Sequence, residues 1–171
     1  MTLRVFPVAG PSHFTDDFGY VKPGGTTGHQ GIDLFADEGT PLVAVDDGQA
    51  RYGTDPMGGN VVNLYATDGT RYYYAHLSAF EGASPGTRRQ VRAGDVVGYL
   101  GKTGNASSTS PHTHFEMHPQ GGPAANPYDA LRVAPRTLPK GESPGGKIAT
   151  AALGAGAAGF LTWWVLSKWK V

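Results

Sequence analysis

Frequent punctuation is what most restricts this chain. Apolar and β-branched runs at residues 41–45, 48–52, 60–66, 71–77, 96–100 and 112–118 are all short. The turn pairs Asp47-Gly48, Gly58-Gly59 and Asp68-Gly69 interrupt them. No helical period appears before residue 125, so these runs can bury a face only as strands paired into a sheet. Asp68-Gly69 between two such runs predicts a hairpin. A further short strand is expected at 31–35, inside a Gly-, Asp- and Thr-rich loop, and a short helix near 127–131. The 26 Gly and 13 Pro of this 171-residue chain agree with a mainly β domain and lack the three-residue period of collagen.

Charge divides the chain. Lys plus Arg and Asp plus Glu both number 14, so the formal net charge is zero, which argues against a nucleic-acid-binding role. All the acids precede residue 147, whereas the end carries only Lys147, Lys168 and Lys170. Three domains of character are expected: a folded β domain at 1–133, a Pro/Gly linker at 134–147, and a tail. In the tail, residues 148–166 form 19 positions without a charge, long enough as a helix to match a bilayer core. Trp163, Trp164 and Trp169 lie at one end with Lys168 and Lys170, as interfacial anchors do, so 167–171 is a basic C-terminal end. Ala151, Ala155 and Gly159 stand four apart and offer a small-residue face for helix–helix self-association. The tail is therefore expected to partner a membrane. The first residues hold no apolar run of signal-peptide length.

With no Cys, any metal must be held by His and carboxylates. His29 and Asp33 lie four apart among glycines, a spacing that leads from a loop into a strand. In the run Pro111-His112-Thr113-His114-Phe115-Glu116-Met117-His118, the period of a strand puts His112, His114, Glu116 and His118 on one face and Phe115 and Met117 on the other. By the same rule Tyr72, Tyr74 and His76 share a face. A catalytic zinc site takes three protein ligands and leaves one position open. His29, Asp33 and one His of the His112/His114 pair supply three, and two His remain to handle protons.

The motifs Phe18-Gly19-Tyr20, His29-Gln30-Gly31-Ile32-Asp33, Gly59-Asn60-Val61-Val62, Tyr74-Ala75-His76-Leu77-Ser78, Ala93-Gly94-Asp95-Val96-Val97-Gly98, Thr103-Gly104 and Pro111-His112-Thr113-His114-Phe115-Glu116 occur in that order. In this combination the chain resembles the M23 zinc metallopeptidases, the lysostaphin- and LytM-like peptidoglycan endopeptidases, over roughly residues 14–131. Two positions depart from the usual pattern: Ser110 where Gly is common, and Thr113 where Leu is common. The resemblance implies a twisted antiparallel sheet with the site in a groove, walled by the stretches 19–28 and 102–110. It implies that His29, Asp33 and His114 bind Zn²⁺ and that His76 and His112 are catalytic. It gives Tyr72 and Tyr74 a part in stabilising the oxyanion and Glu116 a supporting role to an imidazole. His13 and His118 match nothing functional and are expected to be structural or on the surface. The implied activity is zinc-dependent hydrolysis of peptide cross-links in bacterial peptidoglycan. The alternatives are a non-catalytic binding or activating module on the same fold, and a membrane-active protein with the tail as effector. A membrane-anchored enzyme facing the cell wall is expected, with a phage virion favoured over a bacterial envelope as its setting.

Overall fold

The computed structural model describes residues 2–136. Nine strands and one short helix follow in order: β1 (Ile32–Phe35), β2 (Pro41–Val43), β3 (Gly48–Asp55), β4 (Gly59–Ala66), β5 (Arg71–Leu77), β6 (Ala79–Phe80), β7 (Arg88–Val91), β8 (Val96–Tyr99), β9 (His112–His118) and α1 (Tyr128–Val133). Six of them form a sheet in the order β1-β9-β5-β4-β3-β7, and β2-β8-β6 form a second, three-stranded sheet. Every pairing is antiparallel. The mainly β expectation holds, and β6 and β7 are additions to the strands legible as apolar runs. The two-residue β6 is too short to show a period. In β7, Arg88 and Gln90 face solvent while Arg89 is tied to carbonyl oxygens of Glu81 and Val96.

Alternation builds the core. Ala50 and Tyr52 from β3, Val62 and Leu64 from β4, Tyr72 and Tyr74 from β5, and Phe115 and Met117 from β9 all point to one side of the large sheet. Leu42 of β2, Val97 of β8, and Leu3, Phe6 and Val8 of the N-terminal segment join the same cluster. The opposite face of the large sheet carries its polar residues, among them Arg51, Asn63, Tyr73, His114 and Glu116.

The β4–β5 hairpin turns at Asp68-Gly69 as expected, with Asp68 Oδ1 accepting from the Thr70 N–H at 2.8 Å. The β3–β4 turn is held by Asp55, whose Oδ1 accepts from the N–H groups of Met57 and Gly58. At its end Gly59 has φ +65°, and a Cβ there would lie 2.3 Å from Thr103 Oγ1 and 2.4 Å from Gly104 N. Only glycine lets this turn seat against the 102–110 stretch.

Among the described residues no helix is long and apolar enough to cross a membrane. The expected linker beyond residue 136, the apolar run 148–166, its small-residue face and the basic end 167–171 lie outside the described residues.

Candidate metal centre and active site

β1 and β9 pair with Asp33 opposite His114. This register sets a carboxylate beside an imidazole on the polar face, and the loop before β1 delivers His29 to the same place. Gly31 permits the approach: a Cβ there would stand 2.4 Å from the Phe115 carbonyl oxygen and 2.9 Å from His114 Cε1. One ligand atom each from His29, Asp33 and His114 lies within 4.8 Å of the others. His29 Nε2 is 2.7 Å from His114 Nδ1 and 3.2 Å from Asp33 Oδ1, and His114 Nδ1 is 3.0 Å from Asp33 Oδ1.

The outward nitrogens of both rings are already committed. His29 Nδ1 lies 3.2 Å from the Asp17 carbonyl oxygen and 3.4 Å from Asp17 Oδ2, both acceptors. His114 Nε2 lies 3.0 Å from Glu116 Oε1. Each ring therefore donates outward and turns a lone pair inward, where it meets the other lone pair and a carboxylate oxygen. Three acceptors converging at these distances require a cation between them. A zinc ion suits the donor set, two imidazole nitrogens and one carboxylate oxygen. Without a metal, a proton answers the same demand. Burial pulls the His114 pKa down, but hydrogen bonds to Asp33 and Glu116 more than offset it and raise the value to about 9. The Asp33 bond likewise raises His29. Burial opposes ionisation of Asp33, yet the two imidazoles hold its pKa far below the usual carboxylate range.

His76 and His112 stand beside this cluster. Their ring centroids are 4.9 Å apart, and that of His76 is 6.4 Å from that of His114. His112 Nε2 is 3.8 Å from Asp33 Oδ2, the oxygen turned away from the other two histidines. Both rings are oriented by carbonyls of the 102–110 stretch: His76 Nδ1 donates to Thr103 O at 2.9 Å and His112 Nδ1 to Ser110 O at 2.8 Å. In the neutral form each ring is thereby the Nδ1–H tautomer, with Nε2 able to accept. Burial lowers the His76 pKa. The 19–28 stretch reaches the site through His29, whose N–H donates to the Tyr20 carbonyl while its own carbonyl accepts from Gly19. Both stretches expected to wall the groove thus hold site histidines.

One expectation from strand parity and one from the resemblance change. Tyr72 and Tyr74 do not share a face with His76. Tyr74 is fully buried, its hydroxyl donating to Val43 O and accepting from Val45 N–H, and Tyr72 stacks on Phe115 in the core. Neither hydroxyl is placed to meet an oxyanion. The reason is an irregularity in the β4–β5 ladder: Val62 opposes Tyr74 and Asn60 opposes Leu77, so an extra residue sits in β5. His76 takes φ +66° there, a left-handed conformation that costs a non-glycine residue about 1–3 kcal/mol, and its ring emerges on the polar face. The tyrosine of β5 that does lie on that face is Tyr73, edge-on to His114 and donating its hydroxyl to Asp55 Oδ2.

The second concerns His118, which is buried and within the site's network. Its Nε2 is 2.6 Å from Glu116 Oε2 and its Nδ1 is 2.8 Å from the Gly122 carbonyl oxygen. Glu116 supports His114 as expected and is itself held by His118. His13 is structural: its backbone pairs with Phe35 in both directions and its ring stacks on that of Phe35. Asp17 was not singled out from sequence. Its only signal is an acid ahead of Phe18-Gly19, and its contact with His29 needs the loop to fold back.

The model of peptidase family M23 matches residues 27–127, the stretch that carries all five residues of the cluster. The chain belongs to peptidase family M23. Among curated relatives, DD-carboxypeptidase/endopeptidase Mpg of Neisseria meningitidis serogroup B is 40% identical over 108 residues, covering 63% of this chain and 24% of the relative. Glycyl-glycine endopeptidase ALE-1 of Staphylococcus capitis is 42% identical over 91 residues, covering 52% of this chain and 24% of the relative. The M23 chain thus spans about a quarter of the length of these relatives. The solved catalytic domain of lysostaphin from Staphylococcus simulans superposes with TM-score 0.61 at 31% identity, covering 71% of this chain and 92% of that domain. The architecture is that of the lysostaphin-type catalytic domain.

Proposed function

We propose that this chain is a zinc-dependent endopeptidase that hydrolyses peptide cross-links of bacterial peptidoglycan. The observation that carries the reading is the convergence of three acceptors, His29 Nε2, Asp33 Oδ1 and His114 Nδ1, beside two imidazoles whose Nε2 atoms are bare. His29, Asp33 and His114 are the proposed zinc ligands, and His76 and His112 the proposed catalytic pair. Bound zinc supplies a Lewis acid that polarises the scissile carbonyl and makes water acidic enough to ionise near neutral pH.

The remaining chemistry belongs to the chain. Bare Nε2 atoms on His76 and His112 accept a proton from the attacking water, and a ring so protonated donates it to the leaving amine nitrogen. The carbonyls of Thr103 and Ser110 keep both rings in the tautomer this exchange needs. Asp17 and Glu116 hold the two ligand imidazoles in orientation. Names among the relatives support the substrate class: Mpg is a DD-carboxypeptidase/endopeptidase and ALE-1 a glycyl-glycine endopeptidase. The apolar run 148–166 is proposed as a membrane anchor that keeps the catalytic domain near the wall, on its sequence pattern alone.

Digestion of purified cell walls, with mass analysis of the released fragments, tests the activity. New amine and carboxyl termini at peptide bonds are expected, abolished by a zinc chelator and restored by zinc. Fragments cleaved only in the glycan strands, or no release at any zinc concentration, would overturn the reading.

A further inference from the structure

The catalytic role proposed for His76 depends on a backbone conformation that a residue with a side chain does not adopt by default. Its φ of +66° is set by the direction in which the Ala75–His76 peptide plane faces. That plane is clamped at both ends. The His76 N–H donates to the Gly58 carbonyl at 2.7 Å, from the β3–β4 turn. The Ala75 carbonyl accepts from Thr113 Oγ1 at 3.0 Å, from β9. The β5–β9 ladder runs from Arg71 opposite His118 to Tyr74 opposite Phe115 and goes no further. Thr113 thus reaches across with a side chain beyond the last ladder pair. It is fully buried, so its hydroxyl bond to Ala75 forms where water does not compete.

We infer that Thr113 is a positioning residue: its buried hydroxyl holds the Ala75–His76 peptide in the left-handed turn that brings the His76 ring to the metal centre. This rests on the reading of His76 as catalytic. Leu, common at this position in the family, has no donor and cannot make the bond. Thr113 lies between His112 and His114, so the strand that carries a ligand and one catalytic ring also fixes the other ring through its inward-facing side chain. Loss of the hydroxyl lets the peptide plane turn over and releases φ to the ordinary negative range, which swings the ring away.

The test compares Thr113→Val, Thr113→Ser, Thr113→Ala and His76→Ala in the zinc-loaded full chain. Thr113→Val keeps the shape of the side chain and removes the donor. It is expected to lower kcat on purified walls roughly 10- to 100-fold with little change in half-saturating wall concentration. Thr113→Ser keeps the donor and is expected to stay within about twofold of the parent. A readout independent of activity is amide hydrogen exchange: the His76 N–H should exchange about fivefold faster or more in Thr113→Val, while core amides such as that of Leu64 keep their parental rates. Equal acceleration of all slow amides would mean a merely structural role and overturn the inference, as would parental kcat in Thr113→Val. If Thr113→Val does not fold, Thr113→Ala replaces it under the same two criteria, and a Thr113→Ser protein as impaired as Thr113→Ala overturns the inference. His76→Ala separates the two levels. Parental activity there defeats the catalytic reading, whereas an inactive His76→Ala beside a fully active Thr113→Val defeats only the role of Thr113.

Discussion

Replacing Glu116 by Gln changes charge and little else. Glu116 Oε1 now accepts from His114 Nε2–H at 3.0 Å, and Oε2 lies 2.6 Å from His118 Nε2. A Gln side chain offers one acceptor and one donor, so its oxygen still takes the His114 proton while its NH₂ donates to His118 Nε2. The count of hydrogen bonds is kept, and the negative charge behind the ligand is lost. A partner of this kind is worth 10- to 100-fold in metal affinity, or about 1.4–2.7 kcal/mol. An opposing effect acts through protons. In the metal-free protein the His114 pKa is about 9, so at pH 7 a metal must displace a proton at the expense of about two pH units, or roughly 100-fold in affinity. Glu116 is one of the two partners that raise that value, and its neutralisation moves His114 down. The sign follows: the Gln variant binds zinc more weakly at pH 9, where His114 is already about half deprotonated in the parent and more so in the variant. The deficit shrinks towards pH 7, where deprotonating His114 costs the parent more than the variant, in which only Asp33 still raises it. Chelator-buffered zinc titrations at several pH values measure it, and calorimetry in buffers of different ionisation enthalpy counts the protons released. A deficit that is constant from pH 7 to 9, or absent throughout, refutes the reasoning.

His29→Ala, Asp33→Ala and His114→Ala should each lose zinc by elemental analysis, since two remaining protein ligands hold the ion poorly. His76→Ala and His112→Ala should keep zinc and lose about 10²- to 10⁴-fold in wall digestion; parental rates in either reassign that residue. Because burial holds the folded-state pKa of His76 below its ordinary value, its contribution to stability is complete above about pH 6.5 and falls as pH drops through that value, when the unfolded chain takes up the proton first. His76→Gln should flatten that part of a denaturation-midpoint-against-pH curve. A chain cut after Arg136 should fold and bind zinc, and liposome flotation should recover the full chain but not the shortened one. A full chain left in the soluble fraction excludes 148–166 as an anchor.

Much of this was legible because strands write their burial into every second residue. The face of β9 was readable from His112, His114, Glu116 and His118 against Phe115 and Met117, and the β4–β5 hairpin from Asp68-Gly69. The assignment of Tyr72 and Tyr74 failed for a physical reason: one extra residue in β5 reverses parity, and His76 accepts a left-handed φ that no composition signals. Asp17 and His118 entered the site through long-range geometry. His118 shares the face of β9, but only the fold shows that Gly122 closes over its Nδ1 and that Glu116 links it to His114. The short β6 and the charged outer side of β7 carry too few apolar residues to announce a strand.

The position of β9 in the sheet also sets when the site comes into being. β9 is the last strand of the domain to leave the ribosome, yet it sits between β1 and β5 and is the strand that joins β1 to the rest of the large sheet. His29 and His114 are 85 residues apart, and Asp33 and His114 are 81. At about 5–20 residues per second, on the order of ten seconds pass between synthesis of the first two proposed ligands and the third. Until then both strands that will flank β9 expose open edges, and only two of the three proposed ligands, a loop histidine and an aspartate, have been made. Closure of the sheet and completion of the proposed ligand set are therefore one late event. A chain arrested before residue 112 would lack His112 and His114, two of the five site residues, and with them the third proposed ligand and the second proposed proton carrier, so the unfinished chain would be silent.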